Sequence, residues 1–148
     1  AYVSVDVFGE SSNSYYTTAY GQYWPALSNV VDVISAMPYP DHFANNSYGI
    51  NKPWNHPYEL ISAWSKEVVK RQEDTTSKAI VRTWVQSYNV QGWVDPNGIE
   101  YNAEEVKAQI TALFENGLTG GYITWHSGSN IEKYKKQKSA FQIDYLKE

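Results

Sequence analysis

The stretch Val31-Asp32-Val33-Ile34-Ser35-Ala36-Met37-Pro38-Tyr39-Pro40-Asp41-His42 decides the fold. It begins as an apolar, β-branched run and stops at two prolines, which lack the amide hydrogen that continued strand pairing needs. The same pattern recurs in Val3-Ser4-Val5-Asp6-Val7-Phe8-Gly9, in Ala79-Ile80-Val81-Arg82-Thr83-Trp84-Val85-Gln86 and in Gly121-Tyr122-Ile123-Thr124-Trp125-His126. Each run ends in a polar or aromatic cluster. Segments able to form helices lie between the runs, which predicts an α/β fold whose parallel strands carry functional residues at their C-terminal ends. Four such units make a (β/α) half-barrel, half of a TIM barrel.

The intervening segments have their own signals. Ser, Thr, Asn and Tyr dominate from Glu10 to Gln22, a loop composition that includes Tyr15, Tyr16 and Tyr20. A short helix is expected around Tyr23 to Asn29, with Pro25 in its first turn. Pro57 opens a longer helix, with Asn55 and His56 as candidate caps, Leu60, Ile61, Trp64, Val68 and Val69 as its apolar stripe, and Lys66, Lys70 and Arg71 towards its C-terminus. Asp95-Pro96-Asn97-Gly98 reads as a turn. Asn102 and Glu105 resemble a capping box ahead of Val106, Ile110, Leu113 and Phe114, and Gly117 supplies the stop. A last helix is expected over Ile131 to Leu146, broken near Ser139.

The chain has 148 residues, 42% of them hydrophobic, enough for a real core, and no low-complexity segment divides it. A single domain, 1–148, is therefore expected. A complete eight-fold barrel typically takes about 250 residues. The chain is thus expected to be a smaller sheet, one half of an assembly of two chains, or a piece of a longer enzyme, and its start at Ala1 points to the last. Zero cysteines exclude a disulfide framework and thiolate chemistry, and the three histidines lack metal-site spacing, so neither a metal nor a cofactor is expected. The net charge of −4 comes without a basic stripe, which argues against nucleic acid; Lys133, Lys135, Lys136 and Lys138 read as a solvated helix face. No apolar stretch approaches the roughly 20 residues of a membrane span. The lack of cysteine fits an exported protein without establishing export, and a secreted or cell-surface location is the expectation.

Aromatic residues make up 16% of the chain, many of them in loop-like stretches. Barrel geometry would gather Asp6, Tyr39, Asp41, His42, Gln86, Trp125 and His126 around one pocket. Indole and phenol rings for the apolar faces of a sugar, polar groups for its hydroxyls and a carboxylate for bond cleavage point to carbohydrate. Asp6 interrupts an apolar strand, and burial there would raise its pKa as a general acid requires, so it is the candidate catalytic residue. Tyr39, Asp41, His42, Gln86 and Trp125 are the candidate substrate-binding residues, with Glu10 a weaker candidate for a second carboxylate. Asp32, near a strand's start, reads as structural.

The runs Val5-Asp6-Val7-Phe8-Gly9, Val31 to Phe43 and Arg82-Thr83-Trp84-Val85-Gln86, joined by Gly21-Gln22, Pro57-Tyr58-Glu59 and Gly120-Gly121-Tyr122-Ile123-Thr124-Trp125, occur in an order that resembles a family of bacterial glycoside-hydrolase-like proteins. The resemblance covers nearly the whole chain. It implies a TIM barrel related in plan to the alpha-amylase superfamily, with these runs as strands five to eight, the C-terminal half. It also implies a fourth strand bearing an Asp-Tyr-Val-Arg-like motif with the principal carboxylate, and this sequence has no such motif. Asp6 would then match the fifth-strand aspartate, and Tyr39, His42, Gln86 and Trp125 would match pocket positions. By that reading the chain alone is inactive or nearly so. The alternative is a non-catalytic carbohydrate-binding module using the same aromatic pocket. An open half-barrel would also favour a homodimer that closes the barrel.

Overall fold

The computed structural model describes residues 1–13, 20–128 and 130–142. The expected strands form where the apolar runs lie: β1 is Ser4–Phe8, β2 is Val33–Met37, β3 is Ile80–Val81, β4 is Thr83–Gln86 and β5 is Tyr122–Trp125. All pairings among the described residues are parallel. They divide into a three-stranded sheet, β1-β2-β3, and a two-stranded sheet, β4-β5.

A continuous four-stranded half-barrel is therefore not what the backbone hydrogen bonds draw, and the break falls at Arg82. Val33 and Ile34 pair with Ile80 and Val81, and the Arg82 amide donates to the Ile34 carbonyl at 3.0 Å. Beyond it the chain takes a different partner, as Thr83 to Gln86 pair with Tyr122 to Trp125. Strand twist rotates neighbours by roughly 20–25°, so β4 can turn towards β5 while β2 runs on with β1. Gly120 permits the approach of the segment before β5, because a Cβ there would lie 2.3 Å from the Val81 carbonyl oxygen.

The helices are α1, Trp24–Ser28; α2, Pro57–Glu73; α3, Ala103–Glu115; and α4, Ile131–Lys136. Asn102 and Glu105 form the expected capping box, the Asn102 amide donating to the Glu105 carboxylate at 2.8 Å. Gly117 takes φ +85°, the left-handed conformation that closes a helix C-terminus. At α2 the caps differ from expectation: His56 makes no side-chain cap bond, and Asn55 accepts instead from the Ile99 amide at 3.2 Å. The final helix ends earlier than expected. Gln137 is drawn inwards, its side-chain amide donating to the Ser87 and Tyr101 carbonyls at 2.9 and 2.7 Å, and a 3-10 turn, Lys138–Phe141, follows. The rest of that expected helix, from 143, and most of the tyrosine-rich loop, 14–19, lie outside the described residues.

One core joins these elements. Ile61, Trp64 and Val68 of α2 meet Val106, Ile110 and Leu113 of α3 against Val7, Ile34, Ala36, Val81 and Val85 of the strands. Each such large side chain contributes about 1.5–3 kcal/mol on burial. The helices pack on the face that carries Val7, Ile34 and Ala36. Side chains alternate along a strand, so Asp6, Phe8, Ile80, Trp84 and Trp125 share the other face, where Phe8 is 36%, Ile80 52% and Trp125 44% exposed. Asp32 is structural, as its position implied: its carboxylate accepts from the Val3 amide at 2.7 Å. Among the described residues no helix is long and apolar enough to cross a membrane.

Candidate functional site

The chain segments leaving β1, β2 and β4 meet around an open cleft of about 590 Å³. From β1 come Phe8 and Glu10, the latter in a 3-10 turn, Gly9–Ser12. Helix α2 anchors that turn: the Trp64 indole donates to the Gly9 carbonyl at 2.8 Å, and Arg71 Nε donates to the Ser12 carbonyl at 3.2 Å. From β2 come Asp41 and His42, in a 3-10 turn that Pro40 starts. Trp54 and Trp93 arrive from the connections before α2 and after β4, and Tyr20 and Phe43 complete the aromatic lining.

Asp41 is the chemically unusual member. It is 3% exposed, and its Oδ1 accepts from the Tyr88 hydroxyl at 2.8 Å. Oδ2 is buried and makes no hydrogen bond among the described residues. Burial pushes its pKa above the usual carboxylate range, although the Tyr88 hydrogen bond, His42 and the nearby Gln91 amide all pull it down. The imidazole Nε2 of His42 lies 3.9 Å from Oδ1. Burial and the Asp41 charge together push the Tyr88 hydroxyl up.

Tyr39 stands beside this cluster, its ring 5.2 Å from His42 and 6.0 Å from Tyr88, both edge-on. Burial first, and then the charge of Asp6, raise its hydroxyl pKa. Gln86 is fully buried and already engaged: its Oε1 accepts from the Asp41 amide at 3.2 Å and its Nε2 donates to the Tyr88 carbonyl at 3.1 Å. It holds the two strand ends together rather than offering its amide to the cleft. Gln109 of α3 in turn grips the Gln86 backbone through bonds of 2.9 and 2.8 Å.

Asp6 is exposed, not buried as expected, on β1 at the edge of its sheet. Its Oδ1 accepts from the Trp84 indole at 2.8 Å, and Trp84 meets Trp125 edge-on at 6.0 Å. The expected site residues thus form two groups. Tyr39, Asp41 and His42 gather at the end of β2, with Gln86 bracing them, while Asp6 and Trp125 lie on the open face with Trp84.

Residues 1–131 match a protein family described as "Putative glycosyl hydrolase domain". The chain belongs to that family. No curated protein and no solved structure matches it.

The strand ends of this member bring carboxyl groups and aromatic rings together. Some of the residues that build them escaped the sequence reading. Tyr88 follows Gln86 by two positions, so strand alternation carried on past Gln86 would have singled it out. Asp95, read only as a turn residue, accepts from Lys52 Nζ at 2.9 Å, the Trp54 indole at 3.1 Å and the Asn97 amide at 2.9 Å, which lower its pKa to about 2. Nothing local in the sequence signals those first two contacts. Among the described residues no group of three or more His, Asp or Glu could hold a metal ion.

Proposed function

We propose that this domain supplies the sugar-binding strand ends of a glycoside hydrolase acting on an oligo- or polysaccharide. The observation that carries the reading is the cleft in which Asp41, with its raised pKa, and Glu10 lie among Phe8, Tyr20, Phe43, Trp54 and Trp93. Sugar rings lay their C–H faces on such rings, and glycosidic cleavage draws on carboxyl groups beside them. Asp6 is the proposed catalytic carboxylate of the strand interior, oriented by the Trp84 indole. Tyr39, Asp41, His42 and Trp125 are proposed to contact the substrate, with Gln86 as a positioning residue.

The barrel is part of the same proposal. Parallel sheets are generally covered on both faces, and here Phe8, Ile80 and Trp125 are left open, which supports closure by further β/α units. In that arrangement a fourth-strand carboxylate, absent from this sequence, works with Asp6, and the chain alone binds sugar without turning it over. An extracellular or cell-surface setting belongs to the proposal, since polymeric glycans are met there.

The test is calorimetry against an oligosaccharide panel, beside a hydrolysis assay. Binding without hydrolysis by this chain, and loss of turnover with retained affinity on Asp6→Asn in a protein carrying the completed barrel, are the expected results. Hydrolysis by the chain alone would instead assign the acid–base pair to Asp41 and Glu10. A second reading, a non-catalytic carbohydrate-binding module, draws support from the exposure of Asp6, since such a module needs no carboxylate there. In a module, Asp6→Asn changes no turnover in any context.

A further inference from the structure

We infer that Trp93 is a preformed platform for an outlying ring of an extended, non-acidic glycan, so that it sets chain-length preference. The inference rests on the carbohydrate reading above and adds a subsite to it. Trp93 lines the cleft yet is 79% exposed, and an indole of that size gains little from the fold itself. The backbone of its loop is nevertheless pinned. The Val94 and Asp95 amides donate to the Gln91 carbonyl at 2.8 and 3.1 Å, and the Gly98 amide donates to the Asp95 carbonyl at 3.0 Å. The Asp95 carboxylate then ties the turn to Lys52 and to Trp54, which itself lines the cleft. A ring presented from a pinned turn loses little freedom when a ligand lands on it, and this makes an exposed aromatic an effective binding surface.

Charge narrows the ligand. Among the described residues, those lining the cleft include Glu10, Asp41 and His42 but neither lysine nor arginine, and Lys52 beside it is already paired with Asp95. Uronic-acid or sulfated chains would meet the Glu10 carboxylate and the buried Asp41 carboxyl, with the His42 imidazole beside Asp41 in place of a lysine or arginine. Neutral hexose, pentose or N-acetylhexosamine chains, with apolar ring faces for Trp93 and Trp54, fit. The volume suits more than one ring, since clefts of roughly 300–1,000 Å³ hold ligands of drug size.

The experiment is titration of the full chain, and of Trp93→Ala and Trp93→Phe, with mono- to hexasaccharide ladders of gluco-, xylo- and N-acetylglucosamine type and with oligogalacturonate, followed by calorimetry and tryptophan fluorescence. Wild-type affinity should rise with chain length. Trp93→Ala should lose about tenfold for the longer members, the scale of one aromatic stacking contact, and nothing for the monosaccharide, while Trp93→Phe keeps most of the gain. Equal affinities of wild type and Trp93→Ala at every length would overturn the platform and leave the carbohydrate reading intact. Oligogalacturonate bound as tightly as neutral chains would overturn the substrate class. A wild-type chain that binds no glycan would remove both readings together. Because Trp93 is so exposed, its replacement is expected to leave the unfolding midpoint unchanged, which separates a lost contact from a lost fold.

Discussion

The Tyr88 hydroxyl donates a 2.8 Å hydrogen bond to Asp41 Oδ1, linking side chains 47 positions apart that leave β4 and β2. It is the one neutral side-chain donor to a buried carboxyl group whose other oxygen has no hydrogen-bond partner among the described residues. The fold therefore accommodates the protonated form of Asp41 better than the charged form.

The pH dependence follows from that preference. A group whose pKa is raised on folding contributes stability that is fully present below its unfolded value, about 4 for a carboxyl, and that is lost as pH rises through the folded value. Asp41→Asn should be less sensitive than wild type over that rise. Tyr88→Phe should remove about 1–3 kcal/mol and raise the Asp41 pKa further, moving the loss to higher pH. Urea unfolding from acid to neutral pH measures both, and parallel curves for wild type and Asp41→Asn would refute the assignment.

Asp95 behaves in the opposite sense. With its pKa lowered to about 2, chiefly by Lys52, it contributes stability that is present above the ordinary carboxyl value and is lost as pH falls through about 2. Lys52→Met should therefore destabilise the chain at neutral pH, and the gap from wild type should close in acid. An acid titration followed by circular dichroism reads this; a gap that persists undiminished at pH 2 would contradict it.

Gln86 faces no open space, yet its replacement should weaken sugar binding. Gln86→Leu leaves the Asp41 amide and the Tyr88 carbonyl without their side-chain partner, and stranding such buried groups costs about 1–3 kcal/mol each. We expect a lowered unfolding midpoint and a loss of glycan affinity, both partly restored by Gln86→Glu at a pH where the new carboxyl is protonated. Unchanged affinity in a folded Gln86→Leu variant would separate the Asp41 turn from the binding surface.

The uncovered sheet face predicts self-association of the isolated chain. Phe8, Ile80 and Trp125 present an apolar surface between two sheet edges, β1 and β5, that have no further strand beside them in the described structure. Sedimentation should show a dimer, and Trp125→Glu should shift it towards monomer. A monomer at all concentrations would remove the case for closure by a second copy and leave closure by further β/α units.

The sequence by itself determined what depends on near neighbours. The apolar runs that stop at Pro38, at Gly9 and at polar clusters became strands, and Asn102, Glu105 and Gly117 bounded α3, because capping and proline exclusion act within a few residues. The grouping of Tyr39, Asp41 and His42 was legible for the same reason, since three side chains on one short turn must lie close. Tertiary structure alone decided the rest. It ended the β2 pairing at Arg82, buried Asp41 under Tyr88, left Asp6 exposed, engaged Gln86 with the Asp41 amide and the Tyr88 carbonyl, and pinned the Trp93 loop through Lys52 and Trp54. Each of these depends on whether a distant segment covers or pairs with a residue. Burial and partner choice are properties of that assembled packing, and local composition carries little record of them.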